Sequence, residues 1–77
     1  MMRCMKLRFT HHVQSQALAR GIPESRIADT IRHPDVTLPA PGGAVMCRKK
    51  LEYGTLEVIC VRTQGREAYL VLTAYYL

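Results

Sequence analysis

Phe9-Thr10-His11-His12-Val13 is where the periodicity of the chain changes. Upstream, Cys4 to Thr10 alternates. Met5, Leu7 and Phe9 point one way and Lys6, Arg8 and Thr10 the other, the period of a strand with one buried face. Downstream, from His11 to Arg20, Val13, Ala17 and Leu18 fall at helical spacing, and Ala17 and Ala19 are strong helix formers. Thr10 stands between the two patterns, where a hydroxyl can cap a helix start. Gly21 closes the helix as a residue that takes a left-handed conformation without Cβ strain.

A second helix follows at once. Ile22-Pro23-Glu24-Ser25 opens it, with proline in the first turn and Glu24 complementing the positive end of the helix dipole. Ile27, Ala28 and Ile31 make its apolar stripe, Arg32 and His33 sit at its negative end, and Pro34 stops it. Pro39-Ala40-Pro41-Gly42-Gly43 reads as loop. Three strands come next: Ala44 to Leu51, Thr55 to Arg62 and Glu67 to Tyr76. The turns between them, Glu52-Tyr53-Gly54 and Gln64-Gly65-Arg66, carry the glycine of short hairpins. Leu56-Glu57-Val58-Ile59-Cys60-Val61 is apolar on both faces towards its end, as a central strand is when each face is covered.

The expected architecture is α+β, in the order strand-helix-helix-strand-strand-strand. Two helices pack on one face of a mostly antiparallel four-stranded sheet, leaving the other face open. The 77 residues make one domain, 1–77. A chain this short buries only roughly 60% of its unfolded surface, so the open sheet face is the broad surface on which a site can be built.

Composition narrows the classes. An apolar fraction of 48% argues against disorder. Eleven Lys and Arg against six Asp and Glu give a net charge of +5, which favours polyanionic partners and also serves plain solubility. Cys4, Cys47 and Cys60 have no metal-ligand spacing and suit buried strand positions, so a reducing cytoplasm is the expected setting. The basic start has no apolar run behind it, unlike a secretory signal, and no stretch approaches transmembrane length.

Phe9-Thr10-His11-His12-Val13, Arg20-Gly21-Ile22, Ile27 to Ile31 with Pro34, and Leu72-Thr73-Ala74-Tyr75 occur in the order that resembles the domain-of-unknown-function family 4258. The resemblance runs from about Leu7 to Tyr75 by element order. That family is similar in topology to the RelE and BrnT toxins. The resemblance implies a metal-independent, toxin-like ribonuclease held silent by an antitoxin. The chain departs from the family pattern at two places: Gln16 stands where members often carry arginine, and Val13 where they usually carry alanine.

Metal-independent RNA cleavage needs a base, an acid and cations for the charged phosphorane. His12 is the acid–base candidate, since imidazole takes and gives a proton near neutral pH. Its place at a helix start adds backbone N–H groups that favour a bound phosphate, and its structural alternative is to cap the helix or hydrogen-bond the sheet edge. His11 is read as solvent-facing, because adjacent helix positions differ by about 100°. His33 is read as a dipole partner. Arg48-Lys49-Lys50 is the densest charge. On a strand Arg48 and Lys50 share a face and Lys49 takes the other, to grip phosphate or to guard a sheet edge. On the last strand, Tyr69, Val71, Thr73 and Tyr75 are expected on one face and Leu70, Leu72 and Ala74 on the other. Thr73 and Tyr75 then line the open face, to contact phosphate or stack a base. Arg20 is a substrate-binding candidate whose local alternative is a helix-terminal cation.

The expected site therefore has His12, Arg48 and Tyr75 in catalytic roles and Lys50, Thr73 and Arg20 in binding roles, with no metal and no cofactor. The alternative is a non-catalytic RNA- or protein-binding module on the same fold. RNA, an antitoxin protein or a second copy of the chain are the expected partners, and a membrane is not.

Overall fold

The structure is a computed structural model that describes residues 6–63 and 68–77. Cys4, the Gln64-Gly65-Arg66 turn and Glu67 lie outside the described residues. Strand β1 (Lys6–Phe9) leads into helix α1 (His11–Arg20), then helix α2 (Glu24–Arg32), then strand β2 (Val36–Pro39). A short 3-10 turn (Pro41–Gly43) precedes strands β3 (Val45–Leu51), β4 (Gly54–Arg62) and β5 (Ala68–Tyr76).

The junction behaves as its residues dictate. Thr10 is extended, and its Oγ1 accepts from the Val13 backbone N–H at 3.1 Å, satisfying a donor that α1 would otherwise leave unpaired. Gly21 closes α1 at φ 67°, with its N–H directed to the carbonyls of Ala17 and Leu18. Proline stands one position earlier than expected, at the N-cap of α2, where it holds extended backbone and leaves the helical turn to Glu24 and its successors. The buried Thr30 hydroxyl of α2 donates to the Arg26 carbonyl one turn back, at 2.8 Å.

Five strands form one mixed sheet in the order β1-β5-β4-β3-β2. β1 runs parallel to β5, and the other neighbours pair antiparallel. The four-stranded expectation is therefore short by one strand, β2. Its four residues are all exposed, so they show no in–out alternation, and the run ends on proline. Only pairing with β3, from Val36 opposite Arg48 to Pro39 opposite Val45, makes it a strand. A second consequence is that β3 lies inside the sheet where Arg48 pairs with Val36, so Arg48 does not guard an edge, while Lys50 lies past the end of β2.

α1 packs on β5, and α2 packs on β4 and β3. One core joins Val13, Ala17, Ile27 and Ile31 of the helices to Leu56, Val58 and Cys60 of β4 and to Val71 and Ala74 of β5. Leu18, expected in the helical stripe, is 86% exposed. Val13 and Ala17 are one turn apart and face the sheet, whereas Leu18 is turned about 100° from Ala17.

A bulge changes the expected faces of β5. Cys60 pairs with Val71 but Ile59 pairs with Thr73, so Leu72 is an extra residue in β5. Strict alternation would put Val71 and Ala74 on opposite faces. The inserted residue returns both to the helix-facing core. Tyr69 and Tyr76 pack at its margin, while Tyr75 points the other way, opposite Glu57.

Candidate functional site

Strand register aligns Val36, Arg48, Glu57 and Tyr75 across β2, β3, β4 and β5. Directly opposed residues share a sheet face, and this row alternates with the core residues Leu56 and Val58, so it lies on the face away from the helices. Next to it runs a second row of Leu38, Met46, Ile59 and Thr73.

Three side chains of the first row are joined. Arg48 Nε donates to Glu57 Oε1 at 2.6 Å, and the Tyr75 hydroxyl donates to Glu57 Oε2. Arg48 Nη2 reaches the Met46 sulfur at 3.6 Å. Both oxygens of the carboxylate are thus matched by donors on the flanking strands, which is what permits a charged group to be buried. Glu57 and Thr30 are the buried polar or charged residues among those described, and none of these buries a side-chain polar atom without a partner. The layering is clear from exposure: the Arg48 side chain is 37% exposed and that of Glu57 3%. The carboxylate lies beneath, and the guanidinium reaches solvent.

Two of the three residues expected to be catalytic, Arg48 and Tyr75, therefore meet on one acid. Lys50 is two residues along β3 on the same face, exposed, with its side chain in no hydrogen bond among the described residues. Its backbone N–H donates to Asp35 Oδ2 at 2.8 Å, and the Asp35 N–H donates to the Arg48 carbonyl, so Asp35 ties the start of β2 to β3. Lys49 takes the opposite face, as its alternation requires, and its Nζ donates to the His33 carbonyl at the end of α2, at 2.7 Å. That cation satisfies a terminal carbonyl at the negative end of the helix.

Thr73, Arg20 and His12 belong to a different grouping. Beyond Val71, β5 has no strand on its β1 side among the described residues, and α1 comes alongside instead. Thr73 Oγ1 donates to Gln16 Oε1 at 2.7 Å, and Arg20 Nη1 donates to the Ala74 carbonyl at 2.9 Å. Gln16 and Arg20 are four residues apart, and His12 is four before Gln16, so the three form one stripe of α1. His12 is exposed in the first turn and makes no side-chain hydrogen bond among the described residues. Arg20 thus donates to a β5 carbonyl, and Gln16 holds Thr73, the residue that follows the bulge.

Glu57 is the residue that sequence reasoning passed over. The signal was a single acid inside an otherwise apolar run, Leu56-Glu57-Val58-Ile59-Cys60-Val61. A charge kept at the centre of a central strand needs a partner on each side, and Arg48 and Tyr75 are those partners.

On the helix-facing side, Cys47 and Cys60 are both buried and stand on adjacent strands, diagonal to one another. The Cys60 thiol hydrogen-bonds the Cys47 sulfur and, with help from Thr37, lowers Cys47 to about 7 against the opposing effect of burial. The same hydrogen bond, burial and the Cys47 charge push Cys60 well up. The pair therefore gives up one proton readily and keeps the other. No cluster of three or more metal-ligating side chains is present among the described residues, and none of their helices is long and apolar enough to cross a membrane.

The fold and the site define a two-layer α+β domain that carries a polar network on its uncovered sheet face. Comparison of the chain with protein-family models, curated proteins and solved structures finds no match.

Proposed function

We propose that this chain is a RelE-like RNA-binding module that holds a single-stranded segment across its open sheet face. The observation that carries the reading is the shared placement of Arg48, Lys50 and Tyr75 on that face, with half-buried apolar side chains of Met46 and Ile59 beside them. Cations track a phosphate backbone, and an aromatic ring held flat against a sheet accepts an unpaired base. The net charge of +5 adds attraction at a distance. The four ordered motifs and the strand-helix-helix order support likeness to family 4258 and, through it, to the RelE and BrnT toxins. A cytoplasmic setting agrees with free thiols at Cys47 and Cys60.

Ribonuclease activity is the more demanding form of the same reading. Arg48 and Tyr75 are each engaged with Glu57, and His12 sits on the α1 stripe with Gln16 and Arg20. Cleavage by His12 therefore requires RNA to extend from the Glu57 row to the rim of α1. One experiment separates the forms. A labelled single-stranded RNA is titrated with the protein at several salt concentrations, and the same RNA is then examined for cleavage. Binding that weakens steeply with salt, with the RNA intact, is the expected result. Cleavage lost in His12→Ala would establish the catalytic form, and absence of any binding would end the proposal.

β2 favours a protein partner in addition. It is an edge strand with Val36 46% and Leu38 38% exposed, the kind of edge to which another chain adds a strand. An antitoxin protein or a second copy of the chain would fit that edge. Mass measurement in solution across protein concentrations tests the second copy directly.

A further inference from the structure

We propose that Glu57 is the positioning residue of the open-face site, fixing the Arg48 guanidinium so that its outer edge receives one phosphodiester of a single-stranded RNA while Tyr75 carries the adjoining base. This inference rests on the RNA-binding reading and names what organises its site.

The geometry behind it is a division of labour within one side chain. Arginine has five N–H donors in a fixed plane. Arg48 spends Nε on Glu57, its Nη2 has the weak sulfur contact with Met46, and Nη1 has no protein partner among the described residues. Fixing Nε fixes the plane, so the terminal nitrogens are presented in one orientation rather than swept through solvent. Tyr75 is held by the other oxygen of the same carboxylate, so ring and guanidinium keep a constant spacing across β4. A group whose rotamer is locked beforehand loses less entropy when it binds.

Charge alone gives the opposite expectation, and that makes the proposal testable. Glu57 is one of six acidic residues in a chain that must attract a polyanion. Removing its charge strengthens attraction to RNA if bulk electrostatics governs binding. If Glu57 acts by positioning Arg48, the same change weakens binding.

The experiment is a two-by-two cycle of Glu57→Gln and Arg48→Lys, read by fluorescence anisotropy with a labelled single-stranded RNA, with each variant's folding verified by circular dichroism. Glu57→Gln is expected to weaken binding about 10-fold, as for loss of a charge-assisted hydrogen bond. Arg48→Lys keeps the charge, removes the fork, and is expected to cost about as much. The double variant should bind no worse than the weaker single one, because Glu57 has nothing left to position. In ¹⁵N spectra the Arg48 Nε–H resonance, protected by its carboxylate in the parent protein, should become exchange-broadened in Glu57→Gln. Tighter binding by Glu57→Gln, or single losses that multiply in the double variant, overturns the proposal while leaving the RNA-binding reading intact. A parent protein that does not retain the RNA sinks both. If Glu57→Gln does not fold, Tyr75→Phe substitutes for it. It releases one anchor of the carboxylate and is expected to weaken binding about 3-fold, and unchanged binding overturns the proposal.

Discussion

The two faces of β4 reach the same degree of burial by opposite means. Leu56, Val58 and Cys60 face the helices, and each is at most 1% exposed because Val13, Ala17, Ile27 and Ile31 cover them. Glu57, between Leu56 and Val58, is 2% exposed with no helix above it. Its cover is Arg48 and Tyr75, from the strands on either side. The first face is held by apolar area removed from water, which is non-directional and tolerant. The second is held by matched donors and acceptors, which are directional and fail as a unit. A small domain with two helices can cover one sheet face. On the other it can bury a group only by building the cover from the sheet's own side chains.

Substitution on the helix side should have the largest effect. Ile27 is fully buried, and Ile27→Ala is expected to cost about 3 kcal/mol in urea unfolding, against about 1 kcal/mol for Ile59→Ala on the open face. Equal losses would mean that the open face is covered as well as the helix side.

Glu57→Ala comes next, at about 2 kcal/mol, because it strands two donors. The ion pair itself adds little, since the Arg48 side chain, 37% exposed, reaches solvent that screens it. Replacing Glu57 by Leu and Arg48 by Met together should recover most of that loss, as apolar groups of similar size do for a buried pair. A double variant as unstable as Glu57→Ala would show that Tyr75, not Arg48, is the partner that matters.

Thr10→Ala removes the cap of α1 and should cost about 1 kcal/mol, read as a shift in the unfolding midpoint without a change in slope. An unchanged midpoint would mean that packing alone holds the α1 start.

The pH response of the thiol pair tests the helix side without a change in its packing. Cys47 loses its proton near pH 7 in the folded chain but near 9 when unfolded, so between those values the unfolded chain binds more protons and stability rises with pH. Above 9 the unfolded chain also releases the Cys60 proton, which the folded chain retains, and stability falls again. Thermal melts from pH 6 to 10 should show a maximum near pH 9 that Cys60→Ala removes. A maximum that persists in the variant would exclude the thiol pair as its source.

Local chemistry was legible in the sequence. The Thr10 cap, the Gly21 terminus, both helices and the hairpin at Gly54 follow from short-range preferences that the fold does not have to override. So does the opposite orientation of Lys49 to Arg48 and Lys50. β2 was not legible, because an exposed four-residue edge strand has no burial pattern and exists only through β3. The face of Val71 relative to Ala74 was not legible either, since one extra residue at Leu72 reverses the parity and the bulge is set by pairing with β4. In the site, Arg48, Lys50 and Tyr75 were recognised by type, while Glu57 was read as strand.

The sequence by itself determined where the backbone turns helical or extended and which residues carry charge, because capping, periodicity and glycine conformation act within a few residues. Only the tertiary structure decided that Arg48 and Tyr75 meet on Glu57 and that Gln16 and Arg20 of α1 meet Thr73 and Ala74 of β5. Those meetings depend on strand register between segments 9 to 57 residues apart. Register is set by pairing and packing across the whole sheet, and no local preference encodes it.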